Sequence, residues 1–394
     1  MASAHVSEVR PRHIGFLLAH PAPYLSPVLE AFAQSADVSM EVWYLFRRDV
    51  GHAEWRLPPG SLTVNFMCKA GRKERAAFGP VARFTCRLIG REFDAIVVSG
   101  YRHPISLLSC VLARLRGVPV ILGLDTVATT RPWYRRLFRG GPVRFLYRGA
   151  SCFWVPGKAS EEHLLGQGVD GERIFQGMYW LDVDALVREA TQLEKARGEL
   201  RRQLSLAERD FWFLMVARLI PTRNVLALLR AFEQARLFTP EIGLMIVGDG
   251  PDRSSAEHYV LMNGLSNVRL FPQVDFWELG KFYVAADAFV MPSQEPYSLA
   301  VAEAAIFAKP VIAATGVGAT MDYVVPDRTG FVYEGSSVTA LSRAMAKMAG
   351  SPTEARRMGQ AGRAVATGRS RAWVVGQLRA AVSHALAGPK GVTQ

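Results

Sequence analysis

The chain has 394 residues, enough for two domains of ordinary size, each with its own core. Its apolar content of 49% excludes a disordered chain. The net charge of +12 is placed unevenly: residues 1–150 hold twenty-one Lys/Arg against ten Asp/Glu, and residues 66–148 hold sixteen against four. Such a one-sided basic field suits an anionic partner, whether bilayer lipid, a lipid-phosphate acceptor or nucleic acid.

Four scattered cysteines (Cys68, Cys86, Cys110 and Cys152) form no CxxC and no metal-ligand spacing, as expected of a reduced cytoplasmic compartment. Met1 to Arg12 lacks the apolar core of a signal peptide. Arg114 and Arg116 interrupt the longest apolar run, so no bilayer-spanning segment is expected.

In chain order, Ile14–Ala19 reads as a buried first strand, followed by the turn His20-Pro21-Ala22-Pro23-Tyr24 and a helix with Ser26 as N-cap and Pro27 in its first turn. His20 has either a structural role or access to a ligand. Val42–Phe46 and Leu62–Phe66 are further strands. Residues 72–91 place Phe78, Val81, Phe84 and Leu88 at helical spacing among Lys73, Arg83, Arg87 and Arg91: a surface helix seated on a sheet, compatible with membrane docking by its basic face. Ala95–Ser99 and Val118–Leu122 are strands bracketing a helix near 105–116. Strand–helix alternation predicts a parallel sheet whose ligands gather at the strands' carboxyl ends. Two such ends are Gly100-Tyr101-Arg102-His103 and Gly123-Leu124-Asp125-Thr126. A carboxylate at Asp125 either meets a ligand at this strand end or caps the next turn.

Arg131–Arg139 interleaves aromatic and basic residues, with Trp133, Arg135, Arg136 and Arg139 among them, and Arg144–Arg148 repeats the theme. These types suit acceptor or membrane contact, or a buried amphipathic helix. Base stacking would use them too, but no nucleic-acid-binding motif accompanies them, so no nucleic acid is expected. Cys152–Pro156 is a strand and Gly157-Lys158 opens a helix. Asp182-Val183-Asp184 is read as an N-cap rather than a metal site, and 185–208 as a charged helical connector. Further strands fall at 211–217, 242–248, 287–292 and 310–313, with a helix at 370–387. Gly248–Arg253 and Gly316–Met321 are GxGxxG-like but lack the third glycine, against a dinucleotide-binding dehydrogenase.

The central stretch is Glu295-Pro296-Tyr297-Ser298-Leu299-Ala300-Val301-Ala302-Glu303, set between a strand and a run of helix formers. Eight helical residues at about 1.5 Å each would separate its two carboxylates by roughly 12 Å, the reach from a ribose diol across a diphosphate to an attached sugar. Free N–H groups near Tyr297 to Ala300 would attract an anion.

This Glu-x7-Glu, with Pro296-Tyr297 after its first glutamate, resembles the signature of family 4 (group 1) retaining glycosyltransferases. Leu214–Asn224 is similar to the family's strand ending in an Arg and, five residues on, a Lys, here Arg218 and Arg223. Ile246–Pro251 and Pro310–Gly318 match two further strand–turn segments, and the order fits from about Val155 to Gly350. The resemblance implies an α/β chain of two Rossmann-like parallel-sheet domains facing across a cleft (GT-B). Residues 1–180 would be the acceptor-binding domain, 181–370 the nucleotide-sugar-binding domain, and 371–394 a helix crossing back to the first.

It further implies transfer of a sugar from a nucleotide-sugar donor, with retention, to a lipid-linked or cell-envelope glycan acceptor at an anionic membrane surface. Arg218, Arg223, Glu295 and Asp125 would be catalytic. Glu303 would hold the ribose, with Tyr297, Ser298, Leu299 and Gly248 around the donor. No cofactor or metal is expected, since the cations and the helix dipole would meet the diphosphate. The lysine-to-arginine exchange at Arg223 keeps the charge and alters the geometry. A soluble secondary-metabolite acceptor, a non-catalytic sugar-nucleotide-binding module and a 2-epimerase on the same scaffold remain alternatives, and oligomeric state is open.

Overall fold

A computed structural model describes residues 10–22, 25–34, 37–47, 63–68, 77–101, 103–126, 143–335 and 337–388. The chain divides into two compact units: 1–156, 160–180 and 371–394 in the first, and 157–159 with 181–370 in the second.

The first unit carries seven strands: β1 (Arg12–Leu18), β2 (Val38–Tyr44), β3 (Thr63–Phe66), β4 (Ala95–Ser99), β5 (Val120–Gly123), β6 (Cys152–Val155) and β7 (Ile174–Gln176). Every pairing is parallel, in the order β3-β2-β1-β4-β5-β6-β7. Successive residues bury to opposite faces. Leu17, Ile96, Val98, Leu122 and Phe153 pack into one layer, and Ile14, Phe16, Val97, Ile121 and Trp154 into the other. Burial on both faces explains why these strands read as continuous apolar runs. The helix Arg371–Ala387 covers the second layer with Val374, Leu378 and Ala381.

The second unit has β8 (Phe211–Val216), β9 (Ile242–Val247), β10 (Val268–Phe271), β11 (Ala288–Met291), β12 (Val311–Ala314) and β13 (Gly330–Tyr333), again all parallel, in the order β10-β9-β8-β11-β12-β13. In each sheet the chain runs outward on one side, then returns to start the other half. The switch points lie between β1 and β4 and between β8 and β11, where ligands of such sheets bind beyond the carboxyl ends.

Several expectations change. Ser26 is the first helical residue rather than the N-cap; Leu25 precedes the helix, and the Ser26 hydroxyl bonds back to the Ala22 carbonyl at 3.3 Å. Phe78 is 89% exposed while Phe84 and Leu88 of the same helix are buried, so the inward face is narrower than the spacing suggested. Residues 185–208 are not a mere connector. Arg197 and Arg201, from a helix over Arg197–Gln203, converge on Asp287 at 2.6 and 2.5 Å, and Asp287 also accepts the Trp212 N–H at 2.8 Å. Asp182 does cap its helix, accepting the Ala185 N–H at 3.1 Å.

Breaking a buried ion pair from one side leaves an uncompensated charge. Asp287→Ala is therefore expected to destabilise the protein by about 3 kcal/mol in urea unfolding. A loss within a few tenths would show that the two arginines find other partners.

Candidate functional site

At the switch point of the second unit three turns are tied together. The turn after β8 places Arg218 exposed and runs through a short 3-10 turn, Pro221–Arg223, to Asn224 in the left-handed region (φ 54°). The Asn224 side-chain amide donates to the Pro292 carbonyl at 2.8 Å, and the Gln294 N–H to the Thr222 carbonyl at 3.0 Å. These bonds lash it to the loop after β11. The turn after β9 is lashed to it as well, with Leu219 N–H on the Asp249 carbonyl at 2.8 Å.

Gly248 and Gly250 hold φ near +150°, and a Cβ there would lie 1.9 and 2.3 Å from the Ala217 and Leu219 carbonyl oxygens. Only glycine allows that approach. On the other side, the Glu295 N–H bonds the Gly316 carbonyl and the Gly318 N–H the Glu295 carbonyl, each at 3.0 Å. A Cβ at Gly318 would meet the Pro296 oxygen at 1.8 Å.

Inside this frame the Arg223 guanidinium pairs with the Glu295 carboxylate, which also accepts the Ser293 hydroxyl at 2.6 Å. Burial raises the Glu295 pKa, opposed by Arg223, Ser293 and Ser298. The arginine Nε is buried without a hydrogen-bond partner among the described residues. The sequence reading treated Arg223 and Glu295 as separate ligands of a donor. The structure couples them.

The following helix spans Leu299–Ile306, starting later than the sequence suggested. Ser298 precedes it in extended conformation, its side chain does not cap it, and it helps to hold down the Glu295 pKa. The first-turn N–H groups from Leu299 onward therefore lack intrahelical partners by geometry. Tyr297 is buried, with its hydroxyl 3.3 Å from that of Tyr323. Arg369 stacks over the Tyr323 ring at 5.4 Å and pairs with Asp322 at 2.5 Å, so the Tyr297 side chain supports the loop from behind. Glu303, one turn further in, is buried and accepts the Tyr283 hydroxyl at 2.6 Å. Burial pushes its pKa up to about 7, Tyr283 opposes this, and Glu189 adds to it.

The first unit has its own cavity, about 470 Å³, beyond the ends of β1, β4 and β5. Asp125 lines it and accepts the Tyr179 hydroxyl at 3.0 Å. His20 and His103 also border it. The His103 Nδ1 accepts the Ile105 N–H at 3.3 Å, and burial lowers the ring's pKa. Sequence reasoning missed Tyr179, Ser293 and Tyr283. Each is distant in sequence from its carboxylate or sits in no motif, so no local signal marks it. Trp133, Arg135, Arg136 and Arg139 lie outside the described residues. Among the described residues, no His/Cys/Asp/Glu group is placed to hold a metal ion.

Two Rossmann-like units, each with polar side chains gathered at the switch point of its sheet, define a two-domain α/β protein. Comparison gives the family. Residues 196–365 match the glycosyl transferases group 1 pattern, and residues 22–176 the glycosyl transferase 4-like domain. The chain is 30% identical over 309 residues to the GDP-mannose-dependent alpha-(1-6)-phosphatidylinositol monomannoside mannosyltransferase of Mycolicibacterium smegmatis, covering 70% of this chain and 73% of that protein. It is 29% identical over 334 residues to the Mycobacterium tuberculosis protein of that name, covering 76% and 77%. The crystal structure of Anabaena HepE in complex with UDP superposes with a TM-score of 0.71 at 18% identity, covering 94% of this chain and 99% of that one. The protein belongs to the group 1 (family 4) glycosyltransferases, and its fold is GT-B.

A carboxylate whose folded pKa lies above its unfolded value stabilises the fold below the unfolded pKa and loses that contribution as pH rises through the folded one. For Glu303 the window runs from about 4.5 to about 7. Glu303→Gln removes the titration. Its stability relative to the wild type should therefore rise by on the order of 3 kcal/mol between pH 4.5 and 8. Urea melts at both pH values check this; a pH-independent difference contradicts it.

Proposed function

We propose that the protein is a retaining glycosyltransferase, moving a sugar from a nucleotide-sugar donor to a hydroxyl of a lipid-linked or cell-envelope glycan acceptor from the cytoplasmic face of a membrane. The observation that carries the donor half is the Arg223–Glu295 pair at the switch point of the second unit, with Arg218 on one side and the start of the Leu299–Ile306 helix on the other.

The hard step in such a transfer is stabilising charge on the departing diphosphate. Two guanidinium groups and a helix N-terminus are preorganised cationic and dipolar partners for it. Glu295 holds Arg223 in place and offers its carboxylate to sugar hydroxyls, while Glu303 serves the ribose. The relatives named above use GDP-mannose or bind UDP, which supports a nucleoside-diphosphate donor.

Support for the acceptor half comes from the cavity of the first unit. Asp125 and Tyr179 supply paired partners for hydroxyls there, and His103 supplies a further polar group. The mycobacterial relatives are named for a phosphatidylinositol monomannoside acceptor, a lipid-borne glycan. Because fixed cations are in place to meet the diphosphate, no metal is required in this reading.

The test is donor turnover across a panel of GDP- and UDP-sugars. Arg218→Ala is expected to lower turnover by 10²–10³-fold on the accepted donor, as removal of a preorganised charge-stabilising group does. Excess EDTA should leave the wild-type rate unchanged, and the anomeric configuration of the product should match that of the donor. Turnover that survives Arg218→Ala, or collapses in EDTA, contradicts the assignment.

A further inference from the structure

The helix Pro104–Leu115 of the first unit has an inverted surface. Its inward residues are small: Ser106, Ser109, Cys110 and Ala113 are buried. Its outward residues are large and aliphatic: Leu107, Leu108, Val111 and Leu115 are 45%, 50%, 37% and 75% exposed. Steps of three and four residues, from Leu107 and Leu108 to Val111 and on to Leu115, put these four on one face. A solvated helix normally places charge there.

The stripe is wider than one helix. Val111 and Arg114 share a shallow apolar groove with Phe145, which is 57% exposed on the neighbouring helix at 143–149. The Arg114 guanidinium lies over the Phe145 ring at 5.1 Å. Contiguous apolar surface of this kind marks an interaction site.

Charge names the partner. Arg114, Arg116, Arg144 and Arg148 are exposed on or beside these two helices, and neither helix contains an Asp or Glu. Aliphatic side chains flanked by arginine and an aromatic ring match the composition of a bilayer interface, where the apolar groups enter the acyl boundary and the cations meet phosphate. Among the described residues no helix is long and apolar enough to cross a membrane.

We propose that the outer face of helix Pro104–Leu115, with Phe145 and its rim of arginines, docks the protein on an anionic lipid bilayer. This surface differs from both segments that sequence composition pointed to. The helix Phe78–Ile89 has Arg87 committed to Glu41 and Glu92, and 131–139 lies outside the described residues. The inference deepens the lipid-acceptor reading and rests on it for its purpose. Docking and sugar chemistry are nevertheless read by separate measurements.

The experiment is flotation of the full chain with vesicles of phosphatidylcholine alone or mixed with phosphatidylglycerol. Wild-type protein is expected to float with the mixed vesicles and to be released by high salt. Leu107→Ser/Leu108→Ser/Leu115→Ser should abolish flotation. Arg114→Gln/Arg144→Gln/Arg148→Gln should weaken it roughly 100-fold, at about a fivefold loss per arginine. Both variants should keep the wild-type melting temperature and donor hydrolysis, so lost flotation cannot be mistaken for misfolding or for failure of the transferase reading. Flotation unchanged in the leucine variant, or equal on neutral vesicles, overturns the proposal. So does a wild-type oligomer in sedimentation velocity that the leucine substitutions dissolve, because the face would then bind a second copy of this chain.

Discussion

The second unit depends on a largely buried ion pair between residues far apart in sequence. Arg223 ends the turn after β8 and Glu295 sits in the loop after β11, the two strands that flank the switch point. A guanidinium and a carboxylate withdrawn from water cost several kcal/mol each unless their geometry and remaining hydrogen bonds are satisfied. Here the Ser293 hydroxyl donates to the carboxylate, while the arginine Nε stays unsatisfied among the described residues. Such an arrangement is poor economy for stability alone. It is reasonable where a cation must be held aimed at a ligand, and the backbone bonds from Gln294 to Thr222 and from Asn224 to Pro292 fix both loops in register around it.

The same tension appears at Glu303. A carboxylate buried against a tyrosine hydroxyl, with its pKa raised to about 7, is worse for folding at neutral pH than a neutral side chain would be. Positions where local physics disfavours the residue present are where function is expected. Both glutamates of the Glu-x7-Glu stretch meet that description, and the loop between them is supported from behind by Tyr297, Tyr323 and Arg369.

Much of the fold was legible because parallel strands buried on both faces leave unbroken apolar runs. Ile14, Phe16 and Leu17, or Phe213 and Met215, announce themselves in that way. Of the four edge strands only Thr63–Phe66 did. Ile174–Gln176, Val268–Phe271 and Gly330–Tyr333 are short and partly exposed, so their pattern merges with the surrounding turns. In the site, Arg218, Arg223, Glu295 and Glu303 stood out because the motifs that hold them resemble those of the family. Their partners did not, because the Arg223–Glu295 pair and the Tyr283–Glu303 bond exist only once β8 and β11 lie side by side and the helices around them pack. The exposed leucines of Pro104–Leu115 were hidden for a related reason: an apolar stripe reads as core until its other face is seen to be buried.

The central claim is that the switch point of the second sheet is a nucleoside-diphosphate site organised by the Arg223–Glu295 pair. Calorimetric titration of GDP and UDP into the wild type and Arg223→Gln tests it most directly. The account predicts saturable binding of at least one nucleotide by the wild type, weakened by high salt and by the substitution. A folded wild-type protein that binds neither, or an Arg223→Gln variant that binds as tightly as the wild type, would contradict it.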